Sequence, residues 1–560
     1  MTPYRRLLRL SYRRFFENDL ASPDGGFETN IQQVLAIVAT PGMFVSFFLM
    51  PALFEVAVRP IDLRGLMALR LIRLFFPAFS FAAVGFAAFF EWNKLFPDRR
   101  DFLVLGPLPV KLKTFFAAKF SALCLFLLLL ASAVNFFPTL LVPFFSLAVP
   151  EFRKAGYIRI LASQVAATGG AAVFSFLLVA ALQGLLINLT SPRIFHRISP
   201  WIQAAGMSAM IVVLLLFPVY SMLLPAAAPR QAEWLWFLPP VWFTGMYDLI
   251  LSPSDPLFLE LARLAGLSLA AIIAIFCLSW GIGFQRHYRR TLESEDTDQR
   301  RPRTGALHRL VQSPAFAFLR GSPQEHSIFG FAGRTLARSS GHRLFLACYW
   351  SVGVSIGLLT TIVVRNGRVG LSEEGLRSFP LLIAFFVISG FRTAFQFPAE
   401  LSSNWLFRLT EERWAETSRR ATRKRVLASG LIPALIVFLP FEISKWGAET
   451  GVIHSTFQLA AGAVLIEILF WKFDKVPFTC SYYPGRTMLA LLVIFYLFGF
   501  TEWGFRMADL ETSLEGRLGR AIIVITAATA LVALSWVRRP RPSEVIFDAA
   551  DPEFQIIDLT

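Results

Sequence analysis

Apolar residues along this chain fill long unbroken windows of about twenty positions, the length an α-helix needs to cross the hydrocarbon core of a bilayer. They predict helices near 32–55, 71–91, 117–148, 159–189, 202–226 and 262–284, and again near 344–365, 379–399, 426–447, 452–473, 487–505 and 519–537. The window 117–148 is long enough to hold a pair of helices broken at proline. The fold class predicted is all-α: a polytopic integral membrane protein with about 12 transmembrane helices in two similar six-helix halves.

Charge orders these windows. With the N-terminus inside, the segments 1–31, 92–116, 190–201, 286–343, 402–425, 474–486 and 538–560 hold about 35 Lys and Arg, against about 9 in the opposite loops, the asymmetry of the positive-inside rule. Both termini are thereby expected in the cytoplasm of a multi-pass plasma (bacterial inner) membrane protein. Loop 57–70, with Arg59, Arg64 and Arg70, fits this register least well.

Composition agrees: 55% of residues are hydrophobic, 16% are charged and 58 are Phe, with a mean hydropathy of +0.56. Such a chain lacks the polar surface to cover a soluble particle of this size. The formal net charge of +16 follows membrane side and carries no zinc or recognition-helix pattern, so contact with anionic lipids is expected and nucleic acid is not. Cys124, Cys277, Cys348 and Cys480 are scattered without CxxC spacing and predict neither a disulfide framework nor a metal site. The opening MTPYRRLLRLSYRRFF predicts a retained interfacial helix.

The polar stretch 286–343 divides the chain into a first half at 1–285 and a second at 344–537, with a tail at 538–560. It ends in FGFAGRTLARSSGHRLFLA, a second basic interfacial helix that parallels the opening of the chain. GFAAFFEWNKLF at 85–96 echoes GFRTAFQFPAELSSNWLF at 390–407, each after a Phe-Pro pair, and 180–199 echoes 463–483. Tandem repeats of like orientation are one way to build a transporter.

Between Glu91 and Phe120 a membrane helix is followed by Asp98, Arg99, Arg100 and Asp101, then Leu105, Leu108, Pro109 and Val110, with Lys119 at the start of the next helix. This stretch resembles the cytoplasmic loop of ABC-2 type exporter permeases, whose coupling helix docks on a separate ATP-binding subunit; a loop that only caps two helices is the alternative. The resemblance implies a partner ABC ATP-binding subunit in two copies, which would carry ATP and Mg, while this chain binds no cofactor and is no enzyme. It also implies a re-entrant or interfacial element between the fifth and sixth helices, where Trp234, Trp236, Trp242 and Tyr247 surround Pro239-Pro240; a plain aromatic belt is the alternative there. The corresponding loop of the second half, 408–425, lacks Leu-Pro-Val and is expected to be a basic helix, either contacting the ATPase or facing solvent and lipid.

No P-loop is encoded, and no GxSxG or HExxH occurs. Arg392 and Glu467 fall at similar depth in their helices and form a candidate intramembrane ion pair. Amides such as Gln183 and Asn188 are expected to hydrogen-bond neighbouring helices. Glu442 and Glu467 are the acidic residues on which an ion-coupled secondary transporter would rely, and a membrane lipid-processing enzyme is the remaining reading.

Overall fold

Without water in the bilayer core, a spanning segment must satisfy its own backbone, and the apolar windows do so as helices. The computed structural model describes residues 2–13, 15, 27–58, 63–96, 111–223, 236–251, 256–293, 322–365, 368–399, 404, 414–471, 473, 475–480, 499, 502–514 and 516–536. Nine helices among them are long and apolar enough to cross a membrane. Phe48, Leu128, Phe144, Leu278 and Ile525 are exposed on these or neighbouring helices, as lipid-facing positions would be. The protein is an all-α polytopic membrane protein. Its helices gather into two compact units, residues 1–300 with 366–368, and residues 301–365 with 369–560.

The first unit runs α1 (Pro3–Arg13), α2 (Phe27–Val58), α3 (Leu63–Phe90), α4 (Trp92–Leu95), α5 (Leu112–Ser146), α6 (Pro150–Ala155), α7 (Tyr157–Leu189), α8 (Pro192–Leu215), α9 (Phe217–Leu223), α10 (Pro239–Leu251) and α11 (Pro256–Glu293). The window at 117–148 is one helix, α5, with Pro138 and Pro143 inside it. Amphipathic α1 packs on α5: Tyr4 Oη donates to Ser121 Oγ at 2.8 Å and Phe15 stacks on Phe126 at 4.5 Å. Helices α3 and α7 form the centre of the unit. Buried polar side chains join them, with Ser80 Oγ donating to the Thr168 carbonyl at 2.9 Å and Ser175 Oγ to that of Phe81 at 2.7 Å. Gln183 and Asn188 donate to the carbonyls of Trp92 and Ser279, both at 2.8 Å, as expected of amides in helices. Each such bond contributes on the order of 0.6 kcal/mol.

The second unit runs α12 (Pro323–Arg338), α13 (Ser340–Thr361), strands β1 (Ile362–Arg365) and β2 (Arg368–Leu371), α14 (Glu373–Ala394), α15 (Trp414–Val426), α16 (Ile432–Trp446), α17 (Ala448–Leu469), α18 over 502–513 and α19 (Arg517–Trp536). The strands pair with each other, in a stretch that the apolar pattern marks only as a loop. A π-helical turn, Leu427–Leu431, joins α15 to α16. It precedes Pro433, which lacks an N–H and whose ring would clash with the carbonyl of residue 429 in a regular α-turn. The predicted span 487–505 lies mostly outside the described residues, which include only 499 and 502–505 of it. The core draws on α12, α14, α15, α16 and α17, with Phe385, Phe395, Leu431, Ile466 and Phe470 almost wholly enclosed.

The units share local features. In each, an amphipathic helix precedes the first long helix and packs on a later one: α1 on α5, and α12 on α15. In each, a glycine leads into a long helix whose far end carries the echoing sequences, 180–199 and 463–483. Gly156 before α7 has φ 79°, ψ 152° and Gly447 before α17 has φ 85°, ψ 162°, a region nearly closed to residues with a Cβ.

Candidate functional site

In the first unit the most constrained polar centre surrounds α10. This thirteen-residue helix is enclosed by α3, α7 and α11, with Val241, Phe243, Tyr247 and Asp248 buried. Gly245 permits the approach, because a Cβ there would come within 2.6 Å of the Ala262 nitrogen and 2.7 Å of the Phe258 carbonyl of α11. Arg73 of α3 donates from Nη1 to Asp248 Oδ1 at 2.5 Å, and its guanidinium lies 4.6 Å from the Phe152 ring centroid. Arg159 of α7 donates to the Ile250 carbonyl at 2.6 Å. A small cavity beside the pair is lined by Arg73, Ser146, Gln164 and Tyr247 among others; Arg73 Nε and Gln164 Nε2 have no hydrogen-bond partner among the described residues. A charge pair, a carbonyl clamp and a backbone contact thus fix one short helix to three long ones. Trp236 is exposed, while Trp242 and Tyr247 belong to this packing; Trp234 lies outside the described residues.

In the second unit a charged layer joins α12, α15 and α17. Lys424 Nζ lies 2.6 Å from Glu325 Oε1, with both side chains more than nine-tenths buried; the contact is ionic more than a well-aligned hydrogen bond. Arg423 Nη1 donates to Glu467 Oε1 at 2.7 Å. Arg425 lies over the Phe329 ring, 4.8 Å from its centroid. The helix expected at 408–425 is present over Trp414–Val426, but Ser418, Arg419, Thr422, Arg423 and Lys424 are buried. Between 418 and 424 the face bearing these residues therefore points into the protein instead of toward solvent or lipid. The reason is energetic: α12 and α17 bring Glu325 and Glu467 to these cations, and a buried charge persists only when paired.

The residues singled out in the sequence fall as follows. Asp98, Arg99, Arg100, Leu105, Leu108, Pro109 and Val110 lie outside the described residues. Lys119 is buried within α5, its ammonium 5.6 Å from the Phe15 ring centroid, so its charge is directed into the packing of the N-terminal segment. Arg392 sits half-buried near the end of α14. Glu467 has in Arg423 a partner that sequence reasoning did not name. Arg73 and Asp248 were missed too, although Asp248 is the one acid in the stretch 234–253 and that isolation was a usable signal.

Among the described residues, no group of three or more His, Cys, Asp or Glu is placed to hold a metal ion. These two centres link helices to one another through buried charges. Comparison of the chain with protein-family models, curated proteins and solved structures finds no match.

Proposed function

We propose that this chain is the permease subunit of an ATP-driven exporter of the ABC-2 type, moving its cargo across or out of the plasma membrane while a separate subunit hydrolyses ATP. The observation that supports this best is α10, a short enclosed helix that precedes α11 at the place where the resemblance implies a re-entrant element between the fifth and sixth spans. An element clamped to α3, α7 and α11 moves with all three, as a gate driven from the far side of a bilayer must. The interfacial helices α1 and α12, each braced on a later helix of its own unit, suit the side on which an ATPase would push. In this reading both termini are cytoplasmic, anionic lipids contact the basic inner face, nucleic acid has no role and two ATP-binding subunits hold the ATP and Mg.

The test is affinity purification of the tagged protein in mild detergent, comparing wild type with the triple variant Leu108→Asp, Pro109→Gly, Val110→Asp. An ATP-binding chain that copurifies with wild type and is lost from the still-folded variant is the expected result. Good yields of both forms with no ATPase would overturn the reading. An ion-coupled secondary transporter is the second reading, favoured by one observation: the fully buried Glu442.

A further inference from the structure

The imidazole of His454 lies between two carboxylates supplied by two other helices. Glu442 of α16 is fully buried; its Oε2 accepts from Ser455 Oγ at 2.5 Å and its Oε1 from Gln458 Nε2 at 2.7 Å. Both donors sit on α17, Gln458 one turn after His454 on the same face and Ser455 next to it in sequence. On the other side His454 Nδ1 lies 2.5 and 2.7 Å from the two carboxylate oxygens of Glu511 on α18. His454 Nε2 has no hydrogen-bond partner among the described residues and faces Glu442 Oε1 at 3.9 Å. Gln458 Oε1, on a side chain with no exposure, also has no partner among the described residues. Phe457, Leu381 and Ala508 close an apolar wall nearby, and the Trp446 ring meets His454 edge-on at 5.0 Å.

Glu442 receives a hydrogen bond on each carboxylate oxygen, an arrangement that suits the anion. Glu511 presents both oxygens to Nδ1, and opposite a carboxylate the Nδ1 hydrogen belongs to the imidazole. Nε2 then has two states. Neutral, it turns a lone pair toward the Glu442 carboxylate and leaves two buried negative charges; protonated, it turns an N–H⁺ toward that carboxylate and leaves one.

We propose that Glu442, His454 and Glu511 form a proton-binding site in the second unit, which takes one exchangeable proton from water onto the Nε2 lone pair of His454. Gln458 Oε1 supplies a further acceptor beside it. Because the three groups stand on α16, α17 and α18, the proton holds these helices together, and its loss sets Glu442 against the other two. The remaining charges at this end, among the described residues, are engaged with one another or stand exposed. Lys445 of α16 pairs with Glu373 of α14 at 3.2 Å, Arg520 of α19 pairs with Glu449 of α17, and Arg506 of α18 pairs with Glu502 at 2.9 Å, with Asp509 near it. Glu374 and Arg517 are exposed, and Arg377 lies near Glu373. None supplies the missing cation. The site stands whether the protein is driven by ATP or by an ion gradient; in the orientation proposed above, this end faces outward and the site reads external pH.

The experiment is NMR of histidine-labelled full-length protein in lipid nanodiscs, followed from about pH 4.5 to 9, with the His454 signal assigned by its absence in His454→Gln. The expected result in wild type is a His454 with both ring nitrogens protonated at the acid end, giving up one proton within the range. Glu442→Gln and Glu511→Gln should each lower that midpoint by about one pH unit or more, a tenfold or greater loss of proton affinity. Wild type alone decides the question should those variants fail to fold. A His454 that stays neutral throughout, or one that stays doubly protonated, would overturn the proposal. So would a midpoint unmoved by both substitutions. A His454 signal that shifts on adding Na⁺, K⁺, Mg²⁺ or Zn²⁺ at constant pH would overturn it in favour of a metal-cation site.

Discussion

The charges inside this protein are few, and each described pair is better understood by what its removal leaves behind than by the pair itself. Arg73 and Asp248 lie 175 residues apart, and taking away Arg73 removes the cation that faces a buried carboxylate. We expect Arg73→Met to destabilise the first unit by roughly 3 kcal/mol, and Arg73→Met with Asp248→Asn to recover most of the loss, because removing both charges also removes the desolvation cost. Thermal unfolding in detergent reads both; equal losses for the single and double variants would show that the pair is not what holds α10. The same cycle applies to Glu325 and Lys424, where Glu325→Leu alone is expected to cost about 3 kcal/mol and Glu325→Leu with Lys424→Met far less. At this scale the sequence marks which residues are anomalous without saying what they face. Glu467 stood out as an acid in an apolar window, yet Arg423, 44 residues away in a basic run, looked like a topology signal. His454 and Glu511, 57 residues apart, carry no shared motif at all.

Helices were legible because a twenty-residue apolar window is a direct consequence of bilayer thickness, and those predicted at 71–91, 159–189, 262–284, 379–399 and 452–473 all lie within or largely overlap observed ones. Elements set by tertiary contact were not legible. The strands β1 and β2 are too short to show a period, and α10 reads as an aromatic loop until α3, α7 and α11 enclose it. Two element-level expectations follow. Gly156→Ala and Gly447→Ala should each cost about 1–3 kcal/mol, because they force a Cβ into a backbone region nearly reserved for glycine. Gly169→Ala, within α7 with open space at its Cβ, should be neutral or stabilising by up to about 1 kcal/mol. Unfolding midpoints that fail to rank the variants this way would argue against the backbone described at the two helix starts. Gly245→Val should release α10 from α11, since the obstructing atoms are mainly backbone and cannot move aside; accelerated protease cleavage within 236–251 is the expected sign.

At the scale of the whole molecule, the account is one of two helical units that each brace an amphipathic helix on a later one and enter a long helix through a glycine at positive φ. The proposed exporter role assigns one ATP-binding subunit to each of these units. That reading rests on layout and on a thirty-residue resemblance whose central residues, 97–110, lie outside the described structure. The measurement that tests it most directly is native mass spectrometry of the protein extracted from its own membrane with its partners retained. The account predicts one copy of this chain with two copies of an ATP-binding subunit; the chain alone, or a homodimer without any ATPase, would contradict it.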